Sequence, residues 1–589
     1  MLSITLITFI GATLLVAVLT SSFVRNMERS EHPTEEYFTG GRALSWPIVA
    51  GSLLLTNLST EQLVGLNGAV FMDGNLVGIA WEALAAFAMI ATALLFLPRY
   101  LASGFTTTPA FLERRFDRST RKLVSALFLF GYVTVLLPVV LYTGSLAIKS
   151  MFELDLPLWW VVVGIGGLGS WYAIFGGLKS VAVSDTINGV GLLVGGLAIP
   201  YLALSTLGEG SVFEGISTLV VESPETLRPI ASLNKSGGPA SVPWDTLLTG
   251  MMFIQIFYWS TNQVIVQRAM GAKSLAEGQK GVLFASLMKL VGPLMLCLPG
   301  IIALRMLGEL SVSIDAEALS RSLELARTGA NQSLASVIAL GQDILESGAS
   351  RISLETAEQL KGIGLSFNDQ LYSALVRRVL PEWSLGLFAA VLVGSILSSF
   401  NSALNSASTL FCLEFYEERL EGRSFSSDTE KAHHLVSVGK RFGMILAVAS
   451  MALAPQLAQL ESIFAYLQKI NGLYSVPIIS IFLVGLLSER APASSAKAAM
   501  IVGLLSYGYL TFFPVEGLHW LHAYFICLML AVLTLLTGAK LKPKSDEEVA
   551  YSSERPPAPV DLTPWIHAKL ASWVIVGLTV VMYVGLHSL

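Results

Sequence analysis

A chain of 589 residues that is 53% hydrophobic and only 13% charged, with a mean hydropathy of +0.65, has too little polar surface to be wetted as a compact soluble body, in which roughly a quarter of residues carry charge. The net charge of −5 brings no basic nucleic-acid surface. The three cysteines, Cys297, Cys412 and Cys527, stand in apolar runs without metal-type spacing and read as core residues, with no disulfide framework. What remains is a polytopic membrane protein, all-α, because several stretches run close to twenty residues without charge and so can cross about 30 Å of hydrocarbon.

Apolar runs fall at about 2–23, 47–70, 76–98, 123–148, 158–177, 183–206, 246–267, 281–306, 385–413, 440–455, 460–487, 498–516, 519–539 and 568–586, about fourteen spans by hydropathy. The first lacks a basic leader and a clear small-residue cleavage site, so it reads as a retained span and not as a signal peptide. Arg25, Arg29 and Arg42 follow it. Further basic residues sit in alternate loops, among them Arg99, Arg114, Arg115, Arg118, Arg121 and Lys122, then Arg268, Lys273 and Lys280, then Arg419, Arg423, Lys431, Lys440 and Arg441. The positive-inside rule places those loops in the cytoplasm and both termini outside a plasma (inner) membrane.

Three segments are not spans. Residues 207–245 are polar and rich in turn formers, which predicts an extracellular loop. Residues 307–384 hold "DAEALSRSLELARTG" and "SLETAEQLKGIG", amphipathic at helical spacing, with Ser353 opening the second as a cap toward Glu355 or Thr356. They predict short surface helices over the extracellular face. Residues 540–567, with "KPKSDEEVAYSSERPPAP", read as a mobile cytoplasmic connector.

Polar groups intrude where an intact helix would not need them. In "LLLTNLSTEQLVG", Thr56, Asn57, Ser59, Thr60, Glu61 and Gln62 crowd together. Ser59 with Gln62 makes a capping box if a helix merely starts there; the other reading is a broken span, whose freed carbonyls and helix ends hold ions and substrates at mid-membrane. A second interruption is expected at "FAYLQKINGLYSVPIIS", which carries Gln468, Lys469, Asn471, Gly472 and Pro477.

Glu82 and Lys289 each stand alone in an apolar run, and a charge at depth costs roughly 2.5–3.5 kcal/mol even on lenient scales. A shared polar cavity explains the two together. "FIQIFYWSTNQVIVQR" adds Gln255, Tyr258, Trp259, Asn262 and Gln263. Aromatic faces beside amides suit a sugar ring, with its apolar faces and hydroxyl edges, although Tyr258 and Trp259 could equally be interfacial anchors. "GSILSSFNSALNSAST" packs Ser395, Ser398, Ser399, Asn401, Ser402, Asn405 and Ser406 into one span. Small residues can serve close helix approach; hydroxyls facing unwound carbonyls can also cage a hard cation.

"PTEEYFTGGRALSW", "NLSTEQLVG", "TTTPAFLERRF", "AIFGGLKSVAVSDTIN", "YWSTNQVIVQRAMGAKS", "KLVGPLMLCLPGI", "SSFNSALNSAST" and "YLQKINGLYSVP" resemble, in order, the solute:sodium symporters, above all the sodium/glucose cotransporters and the bacterial sodium/galactose symporter. The resemblance implies a leucine-transporter-like five-plus-five inverted repeat with discontinuous helices. Residues 1–46 would hold an extra span and cytoplasmic loop, 47–206 repeat one, 246–487 repeat two with its insertion 307–384, and 488–589 three further spans. It implies a sodium site on the carbonyls of Leu55, Leu58 and Ser395 and the hydroxyls of Ser398 and Ser399. Asp185 with Ser402 would form a second cation site or the ion's exit path, though Ala403 withholds a hydroxyl. Sugar ligands carry over to Asn57, Gln62, Glu82, Lys289 and Gln468, with Tyr258 under the ring as an inner gate and Leu66, Trp81 and Phe464 as an outer gate. Gln255 and Ala85 depart from the galactose symporter's asparagine and serine, so the particular sugar stays open.

The resulting expectation is a sodium-coupled symporter of a galactose- or glucose-like sugar, working by alternating access with Na+ as coupling ion. An inositol, a sialic-type sugar acid or another small organic solute is the alternative within the family, and a transporter-derived channel or sensor stands outside it. No enzyme is indicated: the seven histidines are scattered, and His433–His434 read as a solvated pair.

Overall fold

The computed structural model describes the chain apart from residues 1, 26–36, 38–39, 155, 315, 329–333, 364, 366, 421–424, 426, 460–462 and 554–559; for 2–3, 171–177, 458–459, 463–465 and 550–553 it describes the backbone only. The apolar runs become helices: α1 (Leu2–Arg25), α2 (Trp46–Asn57), α3 (Thr60–Asp73), α4 (Leu76–Ser103), α5 (Arg118–Met151) and α6 (Leu158–Leu207). After these come α7 (Met252–Ser260), α8 (Gln263–Met270), α9 (Leu275–Lys289), α10 (Gly292–Arg305), α11 (Asn368–Val379), α12 (Glu382–Phe411) and α13 (Asp428–Leu453). The chain closes with α14 (Ile463–Leu487), α15 (Ala493–Phe512), α16 (Trp520–Leu541) and α17 (Ala568–Ser588).

Among the described residues, nine helices are long and apolar enough to cross a membrane alone, and α9 with α10, bent by 48°, makes a tenth. The other four expected runs fall on the broken pairs α2–α3 and α7–α8, the shorter apolar segment Leu158–Ser170 and α15, none of which is by itself long and apolar enough to count with these ten. The bundle is apolar outside and polar inside. Ile7 on α1 and Val581 on α17 are each 67% exposed, whereas Arg268 is fully buried and Glu82 and Lys289 are each 1% exposed. That inversion suits a hydrocarbon solvent, which rewards no burial of leucine but punishes every bare charge.

Start and stop signals act locally. Pro47 opens α2 in the first turn, where a missing amide costs nothing. Asp117 caps α5 by accepting from the Thr120 amide. Gly74 ends α3 in the left-handed conformation (φ 70°) that glycine adopts without strain. The run α6 is helical over 50 residues, about 75 Å if straight and far beyond a bilayer's core. It is not straight: Gly169 lies against Phe400, and Asp185, sixteen residues further along, shares Arg268 with Ser402, only two residues from Phe400, so the run doubles back beside α12. Two spans were expected there, and two apolar segments, Leu158–Ser170 and Leu178–Leu207, are present.

The loops are more built than the sequence predicts. In 207–245 a helix, Val212–Glu222, precedes a segment pinned to the end of α3: the Ser241 amide and hydroxyl donate to the two Asp73 carboxylate oxygens at 2.8 and 2.5 Å. In 307–384, Ser353 does cap its helix, accepting from the Thr356 amide at 3.1 Å, and β1 (Ser311–Ser313) pairs antiparallel with β2 (Arg351–Ser353). The insertion's last helix departs from expectation. α11 buries Leu371, Tyr372, Leu375 and Val376 against α3 and α5, so it belongs to the core and not to the surface. The connector 540–567 is tied at both ends, by Lys544 Nζ to the Arg115 carbonyl (2.5 Å) and by a bridge between Asp561 and Ser274.

Candidate functional site: a polar cavity between broken helices

The stretch from Leu55 to Gln62 is a break. α2 ends at Asn57, Leu58 leaves helical geometry (φ −74°, ψ 64°), Ser59 is extended (φ −95°, ψ 175°), and α3 begins at Thr60. The Ser59 side chain makes no capping bond, so the capping-box reading fails. In a continuous helix the Leu55 carbonyl would accept from the Ser59 amide. That amide instead bonds the Asn57 carbonyl at 2.8 Å, which releases Leu55 from the ladder.

The serine-rich face of α12 closes on this break. The Ser395 hydroxyl donates to the Leu58 carbonyl (2.8 Å) and the Ser399 hydroxyl to the Thr56 carbonyl (3.3 Å). Thr56, named in the sequence among the crowded polar residues but given no ligand role, thereby joins Leu55, Leu58, Ser395 and Ser399 in an all-oxygen, uncharged set at the negative end of α2. That donor set suits a hard monovalent cation. The Ser398 hydroxyl makes no hydrogen bond among the described residues. The one serine run serves two sites, because residues three and four apart on a helix share a face only within about a turn.

At the second site a protein cation stands between Asp185 and Ser402. Arg268 donates through Nε to Ser52 Oγ (2.8 Å), approaches Asp185 Oδ2 at 3.4 Å, and bonds both Ser402 Oγ and the Val264 carbonyl. Ser52 in turn donates to Asp185 (2.8 Å). Arg268 was expected in a cytoplasmic loop as one of its basic residues; it is in the core, where Asp185 neutralises it.

A second break, between α7 and α8, went unread in the sequence. Thr261 and Asn262 leave the helix, and Asn262 caps α8, its Oδ1 accepting from the Val264 amide (3.1 Å) and the Tyr132 hydroxyl (2.7 Å). The signal was available in "STN", three turn and cap formers inside an apolar run. The interruption expected at residues 468–477 does not occur: α14 is continuous through Pro477. Its polar residues form one face of an intact helix, with Tyr474 donating to Asn471 (2.8 Å) and Gly472 packed on the ring of Tyr507.

One cavity joins these elements. Asn57, Gln62, Glu82, Gln255, Tyr258, Trp259, Lys289 and Gln468 all line it, as do Trp81, Ala85 and Ser399. Lys289, at the bend between α9 and α10, bonds both Glu82 oxygens (2.7 and 2.5 Å) and Asn57 Oδ1, and lies 5.4 Å from the Trp259 ring. Gly292 makes room for the pair, since a Cβ there would collide with the Glu82 carboxylate. Gln255 donates to the Trp81 carbonyl at 2.9 Å, a bond within the wall. Tyr258 bonds Asn57.

Other expected residues lie apart. Leu66 is buried against Gly78 and lines no part of the cavity. The Phe464 side chain lies outside the described residues. Gln263 accepts from the Thr108 amide (2.7 Å) on a distant turn. His434 is not a solvated partner of His433, for its Nε2 meets the Tyr416 hydroxyl at 3.1 Å. Glu61, noted in the sequence only as one of the crowded polar residues, also lines the cavity.

Comparison with known proteins agrees with this architecture. The family model described as the sodium:solute symporter family matches residues 37–352 and 348–503. The chain is 36% identical to an uncharacterized symporter, YidK, of Escherichia coli K12 over 99% of this chain and 91% of that one. It is 29% identical to the sodium/glucose cotransporter of Vibrio parahaemolyticus, over 84% of this chain and 82% of that one. To the rabbit (Oryctolagus cuniculus) sodium/myo-inositol cotransporter 2 it is 28% identical, over 80% of this chain and 64% of that one. Among solved structures, a Na+-coupled sialic acid symporter in a substrate-bound, outward-open state aligns with a TM-score of 0.69 at 19% identity, covering 92% of this chain and 99% of that one. That likeness shows the fold, which is leucine-transporter-like.

Proposed function

The chain belongs to the sodium:solute symporter family, a membrane transporter and not an enzyme, with sodium as its coupling ion; from that premise we propose that it takes up a neutral sugar or polyol. The observation that carries the substrate class is the Glu82–Lys289–Asn57 cluster. Its one lysine is spent on Glu82, so no free cation faces the cavity from it to hold a carboxylate. Amides at Gln62 and Gln468 and the rings of Tyr258 and Trp259 supply directed hydrogen bonds and an apolar face, the two needs of a pyranose or cyclitol.

Sodium would sit on the carbonyls of Leu55, Thr56 and Leu58 with Ser395 and Ser399. It would replace the hydrogen bonds those serines now make across the break and so lock α12 to the hinge of α2 and α3. The same hinge carries Asn57 and Gln62 into the substrate cavity, so one ion bound there preorganises two substrate ligands. Coupling requires that sodium favour one access state over the other by its differential binding. Each charge crossing about 100 mV adds about 2.3 kcal/mol to uptake. Asp185 and Arg268 would lie on the ion's exit path. The excess of basic residues in alternate loops, Arg42 and Arg114 to Lys122 among them, favours those loops as cytoplasmic and both termini as external.

The test is uptake of labelled hexoses and myo-inositol into proteoliposomes with a sodium gradient and with choline in its place. Equal uptake in choline would overturn the coupled reading. Ser399→Ala should raise the sodium concentration for half-maximal uptake about tenfold, or about 1.4 kcal/mol, while the purified protein keeps its melting temperature in choline.

A further inference from the structure

Beside the neutralised Glu82–Lys289 pair, the cavity holds a second carboxylate that nothing in the wall answers. Glu61 stands in the first turn of α3, 8% exposed, and lines the cavity. Its Oε2 has no hydrogen-bond partner among the described residues, and neither has Oε1 of Gln62 next to it. Of the carboxyl and amino side chains on the cavity wall, Lys289 is paired with Glu82, and Glu61 is left without an opposite partner.

We propose that Glu61 is the specificity-determining residue that restricts this cavity to solutes bringing donors and no negative charge. On the reading of the cavity as a sugar or polyol site, its carboxylate accepts a ring hydroxyl of the solute and repels any solute carboxylate. The physical ground is asymmetric. A buried acceptor without a donor is costly, and a polyol hydroxyl, being both donor and acceptor, relieves that cost. A hexuronate offers the same hydroxyls but sets its own charge within a few ångströms of Glu61 in a low-dielectric cavity, where like charges repel strongly. A site that holds an unmet acceptor rejects ligands unable to satisfy it more sharply than any apolar contact could.

The experiment compares glucose, galactose, myo-inositol, glucuronate and galacturonate as competitors of labelled hexose uptake into proteoliposomes under an inward sodium gradient, for the native chain, Glu61→Gln and Glu61→Asp. The native chain should be inhibited by a neutral hexose or inositol and not by its uronate. Glu61→Gln should narrow the uronate-to-neutral ratio at least tenfold, and Glu61→Asp should restore the discrimination while shifting overall affinity. Melting temperatures in choline check that each variant folds. A native chain that takes uronates as well as hexoses, or an unchanged ratio in folded Glu61→Gln, overturns the assignment. If no hexose or inositol is carried with sodium at all, the sugar reading itself has failed. The uronates and N-acetylneuraminate, a sialic acid, are then run as labelled substrates, and sodium-driven uptake of any of them in the native chain overturns the role of Glu61 as well.

Discussion

Replacing Lys289 by methionine should lower the stability of the purified protein by about 3–5 kcal/mol, because it strands the Glu82 carboxylate in a buried, water-poor site. Glu82 and Lys289 are each 1% exposed and share three hydrogen bonds with Asn57 as the third member. Sodium-driven uptake should vanish with the same substitution, since Asn57 sits on the hinge and loses its tether. Pairing Lys289→Met with Glu82→Gln should return most of the stability, because the stranded charge is gone, without returning uptake. Thermal unfolding in detergent followed by gel filtration reads the first effect and proteoliposome uptake the second. A singly substituted protein as stable as the native one would show that the two side chains are not paired.

The second large effect is expected at Arg268. Arg268→Gln removes a fully buried guanidinium from four partners, Ser52, Asp185, Ser402 and the Val264 carbonyl, and should cost about 3–5 kcal/mol through the bared Asp185. The loss should be partly recoverable by salt of one kind. With the tethered cation gone, Asp185 and the Ser398 and Ser402 oxygens offer a free sodium ion a place. Sodium chloride should then raise the variant's melting temperature more than choline chloride does, by a margin growing about 1.4 kcal/mol per tenfold sodium above its dissociation constant. The native chain should show a smaller sodium-specific gain, from the serine cage alone. Identical salt dependence in the two proteins would mean that Arg268 does not hold a cation's place. Asp185→Asn combined with Arg268→Gln should abolish the extra sodium effect and recover stability.

These sites show where reading the chain succeeded. The membrane class, the fourteen apolar elements and the hinge at Leu55–Gln62 were legible because each rests on local quantities: run length against bilayer thickness, and polar residues packed where an intact helix needs none. The pairing of Glu82 with Lys289 was also within reach, since two lone opposite charges in apolar runs have few ways to be neutral. Motif resemblance pointed to the serines of α12, of which Ser395 and Ser399 reach the carbonyls of Leu58 and Thr56.

What the sequence by itself determined is therefore that this chain crosses a membrane many times and must hide a polar centre inside it. Which residues share that centre was decided by tertiary structure. The break between α7 and α8 escaped notice because Asn262 as a cap and Asn262 as a ligand look the same until Tyr132 and the Val264 amide are placed beside it. The polar run on α14 looked like a break because periodicity along one helix says which residues share a face, not whether a cavity waits opposite. Arg268 counted as a loop cation until the doubling back of α6 brought Asp185 to it. Glu61 stood in plain sight in "LSTEQ". Only the folded cavity shows that its neighbours bring no counter-charge, because burial and charge balance belong to the assembled wall and to no single stretch of chain.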